Sequence, residues 1–256
     1  MRALVPVLVT VLFLFFSCRS AGTDAVEVPI LMYHDFTDGS AENAYTLTMT
    51  RFEEHLTALE NAGYRSVTFA DLIDYVYYGG NLPEKPVLLT CDDGYTGVPA
   101  LAVPCAARHG MTVSCAVIGG LAGNDRHFSV EPVLPDSMEL VSHTFALHDR
   151  KGWNGMVYPE IFPRYEWMLA EDCAAMKGLG GTEFPMMSMV LIYPHGSYSP
   201  ETERILHSQG YLVTVTCDRG IAEIRRGDAE SLYLLPRISV WQTMNGETLL
   251  EQLREP

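Results

Sequence analysis

The chain has 256 residues, 48% of them hydrophobic and 19% charged, with a formal net charge of −15. That apolar content supports a sizeable buried core and argues against disorder. The acidic balance argues against a nucleic-acid partner, because phosphate binding needs clustered Lys and Arg.

In chain order, the first feature is Arg2 followed by an apolar run, Ala3 to Phe16, and the stretch Ser17-Cys18-Arg19-Ser20-Ala21-Gly22. A basic start, an apolar run too short for a bilayer and small residues after it describe a signal peptide over residues 1–25. Cys18, directly after the run, predicts a lipoprotein leader, although Phe15 and Phe16 are unusual before a lipidated cysteine. Ordinary cleavage a few residues later is the other outcome. Both put the mature protein outside the cytoplasm, secreted or anchored, and any membrane attachment rests on Cys18. The remaining cysteines, Cys91, Cys105, Cys115, Cys173 and Cys217, show no C-x-x-C spacing. Buried free thiols are expected of them, not a disulfide framework or a zinc finger.

From residue 26 to 256 the pattern is that of one domain. Continuous apolar runs predict strands at Val28–Tyr33, Arg65–Thr68, Val87–Cys91, Thr112–Ile118, Glu139–Ser142, Met189–Tyr193, Tyr211–Thr216 and Tyr233–Val240. Runs without alternation suit parallel strands buried on both faces. Helices are predicted between them at Thr50–Ala62, Ala70–Tyr78, Val98–Arg108, Glu160–Lys177 and Pro200–Ser208. Thr50 and Asp71 read as starts, and Gly63, Gly110 and Gly210 as stops. Segment 149–160, with Lys151-Gly152-Trp153-Asn154-Gly155, reads as a long loop near the active face. Repeated β-then-α units give a closed barrel or an open doubly wound sheet. No G-x-G-x-x-G or P-loop opens any helix.

Polar residues collect where the strands end: His34, Asp92-Asp93, His143, Tyr193-Pro194-His195-Gly196 and Asp218. In a β/α barrel these ends share one mouth, where active sites form. Two adjacent carboxylates leaving a buried strand are costly unless a cation neutralises one, though Asp-Gly also favours a plain turn. Two neutral imidazoles and a carboxylate make a facial metal set that leaves positions open. The five-residue spacing of His143 and His148 is wrong for one helical face, so a strand end running into a loop is implied. Each histidine alone reads as readily as a hydrogen-bonded loop residue.

These residues resemble the polysaccharide deacetylases of carbohydrate esterase family 4. Thr90-Cys91-Asp92-Asp93-Gly94-Tyr95 stands in the place of the family's T-F-D-D-G motif, and Ser142-His143-Thr144-Phe145-Ala146-Leu147-His148 in that of its H-[ST]…H motif. The wide histidine gap is similar to the branch acting on exported poly-N-acetylglucosamine. Pro29–His34, Leu82–Pro86, Tyr193–Gly196 and Leu234–Ile238 extend the likeness over about residues 28–240. The resemblance implies a distorted (β/α)7 barrel and a hydrolase removing N-acetyl groups from an N-acetylglucosamine-containing envelope or exported polysaccharide. It implies Asp93, His143 and His148 as ligands of a divalent metal, foremost Zn, with Co, Ni, Fe and Mn also suited to the set. Asp92 would be the general base, with Tyr95, through its backbone N–H, and His34, Thr144, Tyr193 and Pro194 at the substrate. Thr144 reads equally as a helix cap.

The family's base-orienting Arg is absent before Tyr193, and its late Leu-x-His acid is absent too. Arg237 could replace the first or be a surface ion-pair residue; His195 could replace the second. The same centre could serve an O-acetyl (xylan-type) esterase. Without a competent acid, the chain could also be a weakly active or inactive glycan-binding relative.

Overall fold

The computed structural model describes residues 25–41, 43–131, 134–148 and 162–254. The leader up to residue 24, with Cys18, and the loop expected over 149–160 lie outside them. The chain opens with β1 (Val26–Val28), β2 (Ile30–Tyr33), β3 (Asp35–Thr37), β4 (Thr46–Thr48), α1 (Met49–Asn61), β5 (Arg65–Ser66) and α2 (Phe69–Ile73). Next come β6 (Pro86–Cys91), α3 (Val103–Arg108), β7 (Val113–Val117), β8 (Met138–Ser142) and α4 (Phe162–Gly180). The order ends with β9 (Val190–Ile192), α5 (Pro200–Ser208), β10 (Val213–Arg219), β11 (Ala222–Ile224), β12 (Leu235–Ser239) and α6 (Gly246–Gln252).

Strands β2, β6, β7, β8, β9, β10 and β12 pair in that order, all parallel, and β12 returns to β2. This is the expected closed (β/α)7 barrel. Eight strand candidates give seven barrel strands because Arg65–Thr68 supplies only the two-residue β5. It pairs with the start of β6 (Arg65 with Pro86), while β2 pairs with the rest (Ile30 with Leu88 through Tyr33 with Cys91).

Side chains alternate across each strand. Ile30, Leu88, Ala116, Val141, Ile192 and Val215 cluster with Val28, Ala222 and Ile224 and with Phe69 and Leu72. They fill the barrel, and the antiparallel β1–β11 ribbon and α2 close the end where the strands begin. Leu31, Leu89, Cys115, Leu140 and Ile238 face outward under α1, α3 and α6. Each fully buried Leu or Ile contributes about 1.5–3 kcal/mol, so the barrel holds its strand ends firmly.

Local signals explain the boundaries. The hydroxyl of Thr48, not Thr50, caps α1 by accepting from the Arg51 N–H at 3.3 Å. Thr68 caps α2, with Asp71 as the reciprocal partner of a capping box rather than the start. Gly63, Gly110 and Gly210 follow their helices with φ of 86°, 63° and 92°. The helix expected over Val98–Arg108 starts as a π turn, Val98–Ala102, before α3. All five described cysteines are free, four buried and Cys217 half-buried. Among the described residues no helix is long and apolar enough to cross a membrane.

Candidate metal centre and active-site cleft

Asp92 leaves the end of β6 with its N–H donating to the Tyr33 carbonyl at 3.0 Å. Its carboxylate is buried and takes a bidentate pair of hydrogen bonds from Arg237 on β12, Nη1 to Oδ1 and Nη2 to Oδ2, both 2.8 Å. Arg237 is itself buried, 1% exposed, with Nε donating to the Thr216 carbonyl at 2.8 Å and Nη1 to Thr90 Oγ1 at 3.1 Å. Of the two sequence readings, Arg237 is therefore the orienting partner of Asp92 and not a surface residue. Burial would raise the Asp92 carboxyl, but the adjacent guanidinium outweighs it and holds it below the usual carboxylate range.

One residue on, the chain turns. Asp93 adopts φ 77° and Gly94 φ 83°. A left-handed Asp is uncommon and costs about 1–3 kcal/mol, so the surrounding barrel must fix it. The turn sends the second carboxylate away from Arg237 and towards two imidazoles. Asp93 Oδ1 lies 3.5 Å from His143 Nε2 and 3.2 Å from His148 Nε2. One donor atom from each of the three lies within 4.8 Å of the others.

His143 follows β8, and its Nδ1 donates to the Ile192 carbonyl on β9 at 2.8 Å. A carbonyl can only accept, so Nδ1 carries the proton and the Nε2 lone pair faces Asp93. A second hydrogen bond that fixes ring and tautomer is what metal-binding histidines commonly have. Burial lowers the His143 pKa despite the two nearby aspartates, which favours the neutral, ligating imidazole. The donor set thus suits a divalent cation with open positions.

His148 sits on irregular chain, held from outside. Asp172 of α4, 7% exposed, accepts from the N–H groups of Phe145 at 2.7 Å and Ala146 at 2.8 Å. On the other side the Gly119 and Gly120 N–H groups donate to the carbonyls of Thr144 and Phe145. A Cβ on Gly119 would come within 2.5 Å of the Phe145 ring and 2.6 Å of Met176 Sδ, so glycine is required for this approach.

These residues open into a cleft of about 590 Å³ at the strand ends. His34, Asp92, Asp93, Tyr95, His143, His148 and His195 all line it, as the sequence predicts. Burial and the neighbouring Asp93 push the Tyr95 phenol up to about 12. His195 is exposed, at φ 56°, with its ring centroid 4.8 Å from that of His148.

Three expected substrate contacts, Tyr193, Pro194 and Thr144, are corrected, as is the placing of Asp218 at the mouth. Tyr193 is fully buried, and its hydroxyl donates to Glu203 and Thr202 of α5. Its side chain leaves the barrel on the helix side, so Tyr193 and the buried Pro194 support the turn that presents His195. Thr144 is also fully buried at φ 68°, and its Oγ1 has no hydrogen-bond partner among the described residues. It shapes the turn between the histidines and neither lines the cleft nor caps a helix. Asp218 is exposed and accepts from the Tyr198 hydroxyl at 3.3 Å, outside the cleft.

Sequence reasoning missed Thr90, which braces Arg237, and Asp172. It also missed Tyr45, Arg126, Cys217 and Trp241, which line the cleft. Thr90 begins the Asp-Asp motif and could have been found there. Asp172 is an ordinary helical Asp until the fold brings it to residues 145–146.

The family model described as polysaccharide deacetylase matches residues 79–214, which is 136 of the 256 residues. YxkH of Bacillus subtilis (strain 168), provisionally named a polysaccharide deacetylase, is 29% identical over 223 residues, covering 86% of this chain and 74% of that protein. Among solved structures, the Streptococcus pyogenes deacetylase PplD, in complex with acetate, matches with TM-score 0.72 and 22% identity over 91% of this chain and 100% of that one. IcaB from Ammonifex degensii matches with TM-score 0.71 and 24% identity over 88% and 96%. These structural likenesses establish the barrel.

Proposed function

Because this chain belongs to the polysaccharide deacetylase family, we propose that it is a metal-dependent hydrolase removing N-acetyl groups from an N-acetylglucosamine-containing cell-envelope or exported polysaccharide. The observation that carries this reading is the split of Asp92-Asp93 into a carboxylate locked on Arg237 and a carboxylate facing two imidazoles.

Asp93, His143 and His148 would hold the divalent ion, with Zn²⁺ first and Co²⁺, Ni²⁺, Fe²⁺ or Mn²⁺ also suited. Bound there, it supplies Lewis acidity to a carbonyl and lowers the pKa of water. Asp92, kept ionised and oriented by Arg237, accepts a proton from water as the oxygen bonds to the acetyl carbon. The Tyr95 backbone N–H donates to the carbonyl oxygen as it gains negative charge. His195 gives a proton to the leaving nitrogen as the C–N bond breaks, and regains it from solvent. The products are acetate and a free amine. The leader-like N-terminus and Cys18 support a site of action outside the cytoplasm, with Cys18 as the point of any lipid anchor.

The test is acetate release by the Zn²⁺- or Co²⁺-loaded protein. Release from chitooligosaccharides or peptidoglycan is expected. Release from acetylxylan alone would replace the amide reading with an ester one, and none from any substrate would leave a glycan-binding relative.

A further inference from the structure

Beyond the reacting centre, one wall of the cleft is aromatic. The His34 ring centroid lies 4.9 Å from that of Tyr45, which lies 5.2 Å from that of Trp241. His34 is half-buried, whereas Tyr45 is 50% and Trp241 37% exposed. The row therefore runs from beside the metal triad outward to open solvent.

The outer rings are held in place although they are exposed. Asn43 Oδ1 accepts from the N–H groups of Tyr45 at 2.8 Å and Thr46 at 3.0 Å. The Gln242 N–H donates to the Ala44 carbonyl, tying the turn after β12 to the Tyr45 loop. That turn is pinned from below, where buried His55 donates from Nε2 to the Met244 carbonyl at 2.7 Å. Leaving two large rings in water, on loops fixed to each other and to the core, forgoes burial at both positions. Such pre-placed rings bind an amphipathic partner at low entropic cost.

We propose that Tyr45 and Trp241 form a stacking platform for the sugar residue next to the one that loses its acetyl group. A pyranose suits it: one face presents C–H groups to the rings, while its hydroxyls reach polar groups lining the same cleft, such as Asp35 and Arg126. The platform makes the site select chains over single sugars. The inference rests on the reading of the substrate as a glycan.

Isothermal titration of the full chain with N-acetylglucosamine and its β-linked dimer to pentamer tests this, alongside acetate release from the same series. In the native protein, affinity and kcat/KM should rise with chain length. In Tyr45→Ala and Trp241→Ala that rise should flatten, with KM for the pentamer up about tenfold, kcat changed far less and metal content intact. Tyr45→Phe and Trp241→Phe, which keep the rings, should restore most of it. Variants that keep the native length dependence would overturn the platform while leaving the deacetylase reading standing. Length-dependent binding that both Ala variants lose, without acetate release from these oligomers, peptidoglycan or acetylxylan, would uphold the platform and sink the hydrolase.

Discussion

The two sides of the mouth are built by different means. On the β6 side, Asp92 sits at a strand end in a dry bidentate pair with Arg237, two strands away around the barrel. On the β8 side, His148 sits on irregular chain whose backbone N–H groups are gathered by one helical carboxylate, Asp172. The first side fixes a charge, and the second fixes a direction. Adjacent carboxylates can therefore take unlike roles, because a single left-handed residue turns Asp93 out of the environment of Asp92.

The largest effects should separate the two sides. Asp92→Asn should lower kcat by about 10²- to 10⁴-fold while metal content, measured by elemental analysis, stays near native. His143→Ala should lose the metal itself. If Asp92→Asn also empties the site, the division of labour is wrong.

Removing Arg237 should show in the pH profile. With the guanidinium gone, burial acts on Asp92 unopposed, so its pKa rises and the acid limb of kcat/KM moves to higher pH. In the native protein the depressed Asp92 contributes stability above the ordinary carboxylate range, lost as pH falls through its folded value. Arg237→Met should cost about 3–5 kcal/mol at neutral pH, read by denaturant melts. An acid limb that stays put would remove Arg237 from the mechanism.

The smallest effect belongs to the other side. Asp172→Asn keeps an acceptor for one N–H and loses the charge, so metal affinity should fall by about 10- to 100-fold. Saturating metal should return most of the activity. A native metal affinity would show that the turn holds His148 unaided.

Much of this was legible in the sequence because a barrel places its strand ends together by rule, and Asp92, Asp93, His143 and His34 each follow an apolar run, while His148 was read from its spacing to His143 and the family motif. What alternation does not carry past the end of a strand was misread. Tyr193 follows β9 as His143 follows β8, yet its side chain goes to α5, and only the φ 56° turn at His195 returns the chain to the cleft. Arg237 could be named from the sequence but not placed, since its partner lies 145 residues earlier. Asp172 and the Tyr45–Trp241 pair leave no periodic trace, because a helix side chain or a loop that meets a distant loop follows no repeat.

The β1–β11 ribbon has a practical consequence. It seals the barrel end opposite the mouth, and the described chain enters there, at the exposed Ala25. Held at Ala25 on a bead or a sensor chip, the protein would turn its open end towards the bulk, where a long glycan can thread past without meeting the support.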